Sequence, residues 1–257
     1  MTGHWPITAA HRGILRVHVD ALRAVNENDA LAVYTLYDGQ VVEAGEAVAR
    51  AKVIPFAVPR AVLDRARQQA RPSGGLVAVR PFMALRVGAV VNESLGPAAA
   101  LRFREALEEK VRWLGSELLA PVFVASSAAT VSDGITDVID QGADLIVVAG
   151  SRPKDPLDPT YLALDRLGAT VERRGVPAHP GSLAWLAHLG EVPIVGMPSC
   201  GLFSQATVFD LLLPRLLSGE RIGAGELAAL GHGGFLTRDM AFRFPPYRPA
   251  RDRGEVA

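Results

Sequence analysis

The stretch DLIVVAG, residues 144–150, decides the architecture. Its five central residues are apolar without alternation, which reads as a strand covered on both faces, the place a parallel sheet gives its middle strands. Working outward, strand and helix patterns alternate on both sides. LRVGAVV at 85–91 reads as a strand, and a helix follows over 97–114, where Leu107, Val111 and Leu114 form one apolar stripe and Pro97 suits the first turn. PVFVAS at 121–126 reads as a second strand, with a helix from Asp133 through Ile135, Val138 and Ile139. Beyond 150 come a helix over 158–167, a short strand in ATVERRG, a strand VPIVG at 192–196, and a helix over 202–218 that Pro214 kinks or shortens. This order predicts an α/β, three-layer domain with a mostly parallel sheet.

Upstream the pattern differs. Residues 14–30 read as a short helix, and residues 31–58 are β-rich, with Asp38-Gly39 as a tight turn between two strands. A helix is expected over 60–70, ended by RPSGG at 71–75. The chain therefore divides into a smaller β-rich α+β segment at 1–84, the α/β domain at 85–218, and a C-terminal part at 219–257. That last part holds the helix ELAAL, the GHGG turn that caps it, and an extended or disordered tail from 237 with five arginines.

With 257 residues the chain is long enough to bury a full core without staples. Lys+Arg 27 against Asp+Glu 27 gives no net charge, which speaks against a nucleic-acid or anionic-membrane binder. The single cysteine, Cys200, excludes an internal disulfide framework and a thiolate-rich metal site built by one chain. Together with strand-sized apolar runs and an opening that lacks a signal-peptide pattern, it leads us to expect a cytoplasmic protein.

In an open parallel sheet, ligands bind beyond the carboxyl ends of the strands, so the connections leaving 144–150 and 192–196 carry the functional reading. The first, AGSRPKDPLDPTY, places the small pair Gly150-Ser151 beside cationic Arg152 and Lys154 and anionic Asp155 and Asp158, a mixture suited to an anion with a metal or polarised water. Asp158 before Pro159-Thr160 also reads as a helix N-cap. The second, GMPSCGLFSQ, opens into a helix, and unpaired N–H groups at that start favour a phosphate or carboxylate lined by Ser199, Cys200 and Gly201. HPGSLAW at 179–185 adds a third glycine-bearing turn, with His179 and Ser182 as donors. Cys200 at a helix start is also a candidate thiolate nucleophile, with His179, His188 or His232 as base. The chain carries no GxxxxGK[ST], GxSxG or strand-borne GxGxxG motif.

Read together, these connections resemble the molybdopterin-binding domain shared by molybdopterin molybdotransferases and adenylyltransferases, over about 85–218. The strand into a Gly-Gly loop with a downstream aspartate is similar to DLIVVAGS followed by Asp158, with Ser151 in place of the second glycine. The family's Pro-Gly turn resembles Pro180-Gly181, its Gly-Leu-Pro-Gly-Asn-Pro loop resembles GMPSCG with Pro198 and Cys200, and its post-strand Gly-x-Glu turn resembles VVNES with Glu93. The lysines flanking the family's Pro-Gly turn are His179 and Ser182 here. The last 40 residues are too short for the family's C-terminal barrel, and residues 1–84 resemble the β-rich lead segment of shorter relatives.

The resemblance implies molybdopterin, a small pterin phosphate, as ligand or substrate, with Mg²⁺ and molybdate as further components. It implies Asp158 and Glu93 as catalytic residues, Asp155 and Asp158 as metal ligands, and Gly150, Ser151, Arg152, Lys154, Pro180, Gly181, Ser182, Pro198, Ser199, Cys200 and Gly201 as cofactor-binding. The activity implied is a magnesium-dependent transferase, molybdotransferase-like, in molybdenum-cofactor biosynthesis, acting as a homo-oligomer. The lost lysines and missing barrel leave an alternative, a non-catalytic carrier or maturation chaperone that hands cofactor to a recipient molybdoenzyme.

Overall fold

The computed structural model describes residues 4–71, 74–150, 155–197 and 207–247. The chain forms two compact units, Met1–Phe82 and Met83–Ala257. The first contains β1 (His4–Thr8), β2 (Gly13–Val17), α1 (Val19–Asn26), β3 (Leu31–Thr35), β4 (Val41–Val42), β5 (Ala47–Val53), α2 (Arg60–Ala70) and β6 (Val77–Arg80). They build two antiparallel three-stranded sheets, ordered β1-β5-β3 and β4-β2-β6. The turn expected at Asp38-Gly39 is present, but its flanking strands do not pair as a hairpin. β3 and β4 belong to different sheets, and the Asp38 carboxylate instead accepts the Val17 N–H at 2.8 Å and pairs with Arg16 at 3.1 Å. Ala9, Leu15, Val42 and Val48 make a small core, and α2 buries none of its residues.

The second unit holds β7 (Arg86–Val91), α3 (Pro97–Trp113), β8 (Glu117–Leu118), β9 (Val122–Phe123), α4 (Ala128–Asp140), β10 (Leu145–Ala149), α5 (Pro159–Arg166), β11 (Thr170–Arg174), β12 (Trp185–Leu189), β13 (Val192–Met197), α6 (Val208–Leu217) and α7 (Ala224–Ala229). The sheet runs β11-β12-β13-β10-β7-β8, with β9 also on β7. β7, β10 and β13 are parallel neighbours, and every residue of β10 is buried, as an uninterrupted apolar strand between two others requires. The strand expected at 121–126 shrinks to two residues at the edge of β7, preceded by a second short piece, β8. α4 begins at Ala128, five residues earlier than Asp133, because Ser127 caps it by accepting the Thr130 N–H at 3.2 Å. β12 was not anticipated; it lies antiparallel between β13 and β11.

From β7 the chain passes through α3 to β8 and β9 on one side, then through α4 to β10 on the other. Right-handed crossovers in opposite directions put α3 and α4 on opposite faces of the sheet. On one face Val131, Ile135 and Val138 of α4 and Ala163 and Leu164 of α5 pack with Val90, Ile146, Val148, Trp185 and Ile194 from the strands. α3 is tied to α6 by a buried ion pair, Lys110 Nζ to Asp210 Oδ1 at 2.6 Å. The segment after α7 is not wholly extended: a 3-10 stretch covers Arg238–Arg243, and Tyr247 is buried against the ring of Trp113, 5.5 Å between centroids. An aromatic ring with an apolar slot to fill outweighs the proline and charge that make this tail look unstructured.

Candidate functional site

The pairing register gathers the expected connections at one edge. Ala149 lies opposite both Val91 and Met197, so β7, β10 and β13 end in one row and the segments from 92, 150 and 198 leave together. β12 starts at the same edge, since Trp185 pairs with Gly196, and the turn at 179–184 leads into it. The strand order reverses between β7 and β10, the place where open α/β sheets leave a crevice.

At that crevice the Asn92 N–H donates to Ala149 O at 3.0 Å. The Asn92 side chain is buried, and its amide donates to Thr160 Oγ1 at 2.9 Å, tying the end of β7 to the start of α5. Its Oδ1 has no hydrogen-bond partner among the described residues. Gly150 has φ +96°, and a β-carbon there would fall on that same carboxamide oxygen and lie 2.7 Å from Glu93 Cβ. No other residue type fits both the backbone and the space. Glu93, half-buried, is the carboxylate brought beside Gly150.

Asp158 takes the role of N-cap. It is 4% exposed, its Oδ1 accepts the Thr160 N–H at 2.8 Å, and Pro159 occupies the first position of α5. Asp155 Oδ1 accepts the Leu157 N–H at 2.9 Å, and Asp158 N–H donates to Asp155 O at 3.1 Å. Both carboxylates thus shape the entry to the helix. Among the described residues, no group of three His, Cys, Asp or Glu side chains gathers to hold a metal.

The next residue, Tyr161, is buried with its hydroxyl unpartnered among the described residues. Its ring meets Trp185 edge-on at 5.9 Å between centroids and carries the Arg174 guanidinium 4.3 Å from its centroid. Burial pushes the phenol up to about 12 from its ordinary value of 10.0; Arg174 opposes the shift and Asp158 adds to it.

Pro180-Gly181 follows a cis bond after His179, and Gly181 has φ +107°. A β-carbon on Gly181 would lie 2.8 Å from Val208 N, so the turn sits directly on the start of α6. Ser182 is exposed, and its carbonyl accepts the Val176 N–H at 2.9 Å. The helix expected from 202 begins instead at Val208, and its first donors are not unpaired as expected. Val208 N–H donates to Pro180 O at 3.0 Å, and Thr207 N–H to Asp210 Oδ2 at 3.0 Å in a capping box. Ser151, Arg152, Lys154, Pro198, Ser199, Cys200 and Gly201 lie outside the described residues.

Of the histidines considered as bases, His179 is at this edge, where its backbone N–H donates to Gly234 O and its carbonyl accepts the Leu236 N–H. His188 pairs with Pro193 near the far end of β12, and lines a separate cavity of about 200 Å³ with Asp144, Glu191 and Arg221. Its imidazole is lowered from the ordinary value of 6.5, mainly by burial and then by Arg221, against the pull of Glu172 3.2 Å away. Asn92, Tyr161 and Arg174 were not singled out from sequence. The only signals were a polar residue directly after an apolar strand and an arginine pair closing a short one.

No family model matches the chain, and no curated protein matches it. Among solved structures it is similar to the molybdopterin biosynthesis MoeA protein from Pyrococcus horikosii, at 15% identity over 86% of this chain and 69% of that one, TM-score 0.38. A molybdenum cofactor biosynthesis protein of Corynebacterium diphtheriae matches at 19% identity over 57% of this chain and 99% of its own, TM-score 0.39. A structure of MogA matches at 16% identity over 57% of this chain and all of its own, TM-score 0.36. Among the described residues, no helix is long and apolar enough to cross a membrane.

Proposed function

We propose that the chain binds molybdopterin, or its adenylylated form, at the carboxyl edge of β7, β10 and β13 and acts in molybdenum-cofactor assembly or delivery. The observation that carries this reading is that the strand ends bordering the four motif-bearing connections lie in one row at one sheet edge, beside the strand-order reversal. The residues suit such a ligand. A pterin ring presents N–H groups that an unpartnered buried carbonyl such as Asn92 Oδ1 can accept, and the Gly150 backbone leaves no side chain between ligand and strand. Ser151, Cys200 and Gly201 would complete the phosphate contacts with backbone N–H groups.

Within this reading, stoichiometric carriage is favoured over turnover by the state of the aspartates. Asp158 and Asp155 each spend an oxygen on local backbone, and among the described residues no third His, Cys, Asp or Glu joins them to hold Mg²⁺. A molybdotransferase-like reaction, inserting molybdate into the dithiolene, is the second reading; Glu93 beside Gly150 is the observation that favours it.

The test is titration of the purified protein with fresh molybdopterin, followed by molybdate and Mg²⁺. Saturable one-to-one binding supports the proposal, and failure to bind at micromolar ligand overturns it. Asp158→Asn, which keeps the cap, separates the two readings: a carrier retains binding and hand-over, whereas a transferase loses molybdenum insertion.

A further inference from the structure

Arg174 closes β11 and is exposed. Through Trp185 and Gly196 it stands in the same cross-sheet row as the ends of β12 and β13, at the edge where the connections converge. The preceding Arg173 donates its Nε to Gly175 O at 3.0 Å, but Arg174 has no carboxylate partner among the described residues. Its guanidinium lies on the Tyr161 ring, 4.3 Å from the centroid. Stacking fixes the direction of a guanidinium while leaving its charge and its donor edge available.

Tyr161 itself belongs to the first turn of α5, directly after the connection leaving β10 and its N-cap Asp158. It is 97% buried by its 3% exposure, packed on Trp185, and its hydroxyl has no partner among the described residues. The ring is therefore a rigid platform at this sheet edge, carrying a cation with no carboxylate partner among the described residues.

We infer that Arg174, seated on Tyr161, is the anion-specificity residue of this site, recognising the phosphate of the pterin ligand. The inference rests on the reading given under Proposed function. Arg174 takes no part in bond making. It selects phosphorylated over phosphate-free ligand and orients it from the β11 side of the crevice.

The full chain is titrated with three probes: molybdopterin, a neutral pterin without phosphate, and inorganic pyrophosphate. Arg174→Met keeps an apolar stem on the Tyr161 ring; it is expected to weaken molybdopterin and pyrophosphate about tenfold or more, with a flatter salt dependence, and to leave the neutral pterin unchanged. Arg174→Lys should fall between. Tyr161→Phe, which keeps the ring, should keep the native preference for phosphorylated over phosphate-free ligand, while Tyr161→Leu should lose that preference although Arg174 is intact. Equal melting temperatures show that the Arg174 variants fold. Native protein that binds molybdopterin, with Arg174→Met unaltered, overturns the role of Arg174 and leaves the functional reading standing. Native protein that binds neither pterin overturns that reading, and the pyrophosphate arm then decides Arg174: a loss confined to the variant sustains it as an anion site, and no native binding removes it.

Discussion

Lys110→Met is the sharpest test of what holds the second unit together. Lys110 is 7% exposed and Asp210 not at all; their charged atoms are 2.6 Å apart, and Asp210 Oδ2 also accepts from Thr207 N and Oγ1 at 3.0 and 3.2 Å. The lysine ammonium further lies over the rings of Phe209 and Tyr247, at 5.7 and 5.4 Å. Replacing the cation by a methionine of similar volume leaves a fully buried carboxylate that keeps its Thr207 donors and loses the lysine charge. Breaking one side of such a pair costs about 3–5 kcal/mol, a large part of the roughly 5–15 kcal/mol that holds a domain folded. Urea unfolding of the variant should show that loss as a lower midpoint with an unchanged slope. The double variant Lys110→Met/Asp210→Asn removes the stranded charge and retains an acceptor for Thr207 N–H. It should therefore be more stable than Lys110→Met alone, giving a coupling energy of about 2 kcal/mol or more in a double-mutant cycle. A single-variant loss below about 1 kcal/mol, or strict additivity, would refute the view that this ion pair fixes α6 against α3.

Gly150→Ala forces a side chain into positive φ and onto Asn92, two effects of about 1–2 and 1–3 kcal/mol, so chemical denaturation should report a loss of roughly 2–5 kcal/mol; wild-type stability would mean the packing around Gly150 is looser than described. His188 has a folded-state value below its ordinary 6.5, so the native state binds fewer protons than the unfolded chain and stability falls as pH drops below about 6.5 toward the folded value. His188→Gln should flatten the stability difference between about pH 7.5 and pH 5.5, as denaturation curves of native protein and variant at both pH values would show, and an unchanged slope would assign the effect elsewhere. Tyr161 works in the opposite sense: its phenol is raised to about 12, so its contribution is complete below pH 10 and lost as pH rises from 10 through 12, and phenolate absorbance of Tyr161→Phe should lack a late-titrating component. Asp158→Ala should cost about 1 kcal/mol through loss of the cap alone, with Asp158→Asn close to native in thermal melting.

What the sequence disclosed follows the range over which each signal acts. An unbroken apolar strand such as β10 and the helices α2, α3 and α5 are written in local periodicity and capping, and the structure places them within a residue or two of expectation. The pairing of strands is not local. Asp38-Gly39 specifies a turn and says nothing of which sheet receives the strand beyond it, which is why β3 and β4 part company. β12 escaped because WLAHL follows a glycine-bearing turn whose residues had been read as a ligand loop; only its antiparallel fit against β13 makes it a strand.

The site shows the same division. Gly150, Asp158 and Pro180-Gly181 could be found because each has a local backbone signature: a positive φ or a cap. What those residues do was less legible, since the sequence allows Asp158 to be either cap or catalyst and the geometry gives it a cap to make. Asn92, Tyr161 and Arg174 carry no local signature. They matter because three separate elements bring to one sheet edge a carbonyl and a phenol without hydrogen-bond partners, and a guanidinium without a carboxylate partner, among the described residues; Asn92 and Thr160 are 68 residues apart. Buried polar groups without partners are costly, so the carboxamide oxygen and the phenol at this edge call for a partner beyond the described residues. A scaffold with no ligand to bind would gain stability from Tyr161→Phe. In this chain Tyr161→Phe should raise the melting temperature while ligand is absent, and that stabilisation should shrink or reverse when the ligand uses the hydroxyl. Equal stabilisation with and without ligand would assign the phenol to packing alone and leave Arg174 as the residue through which the edge reads its ligand.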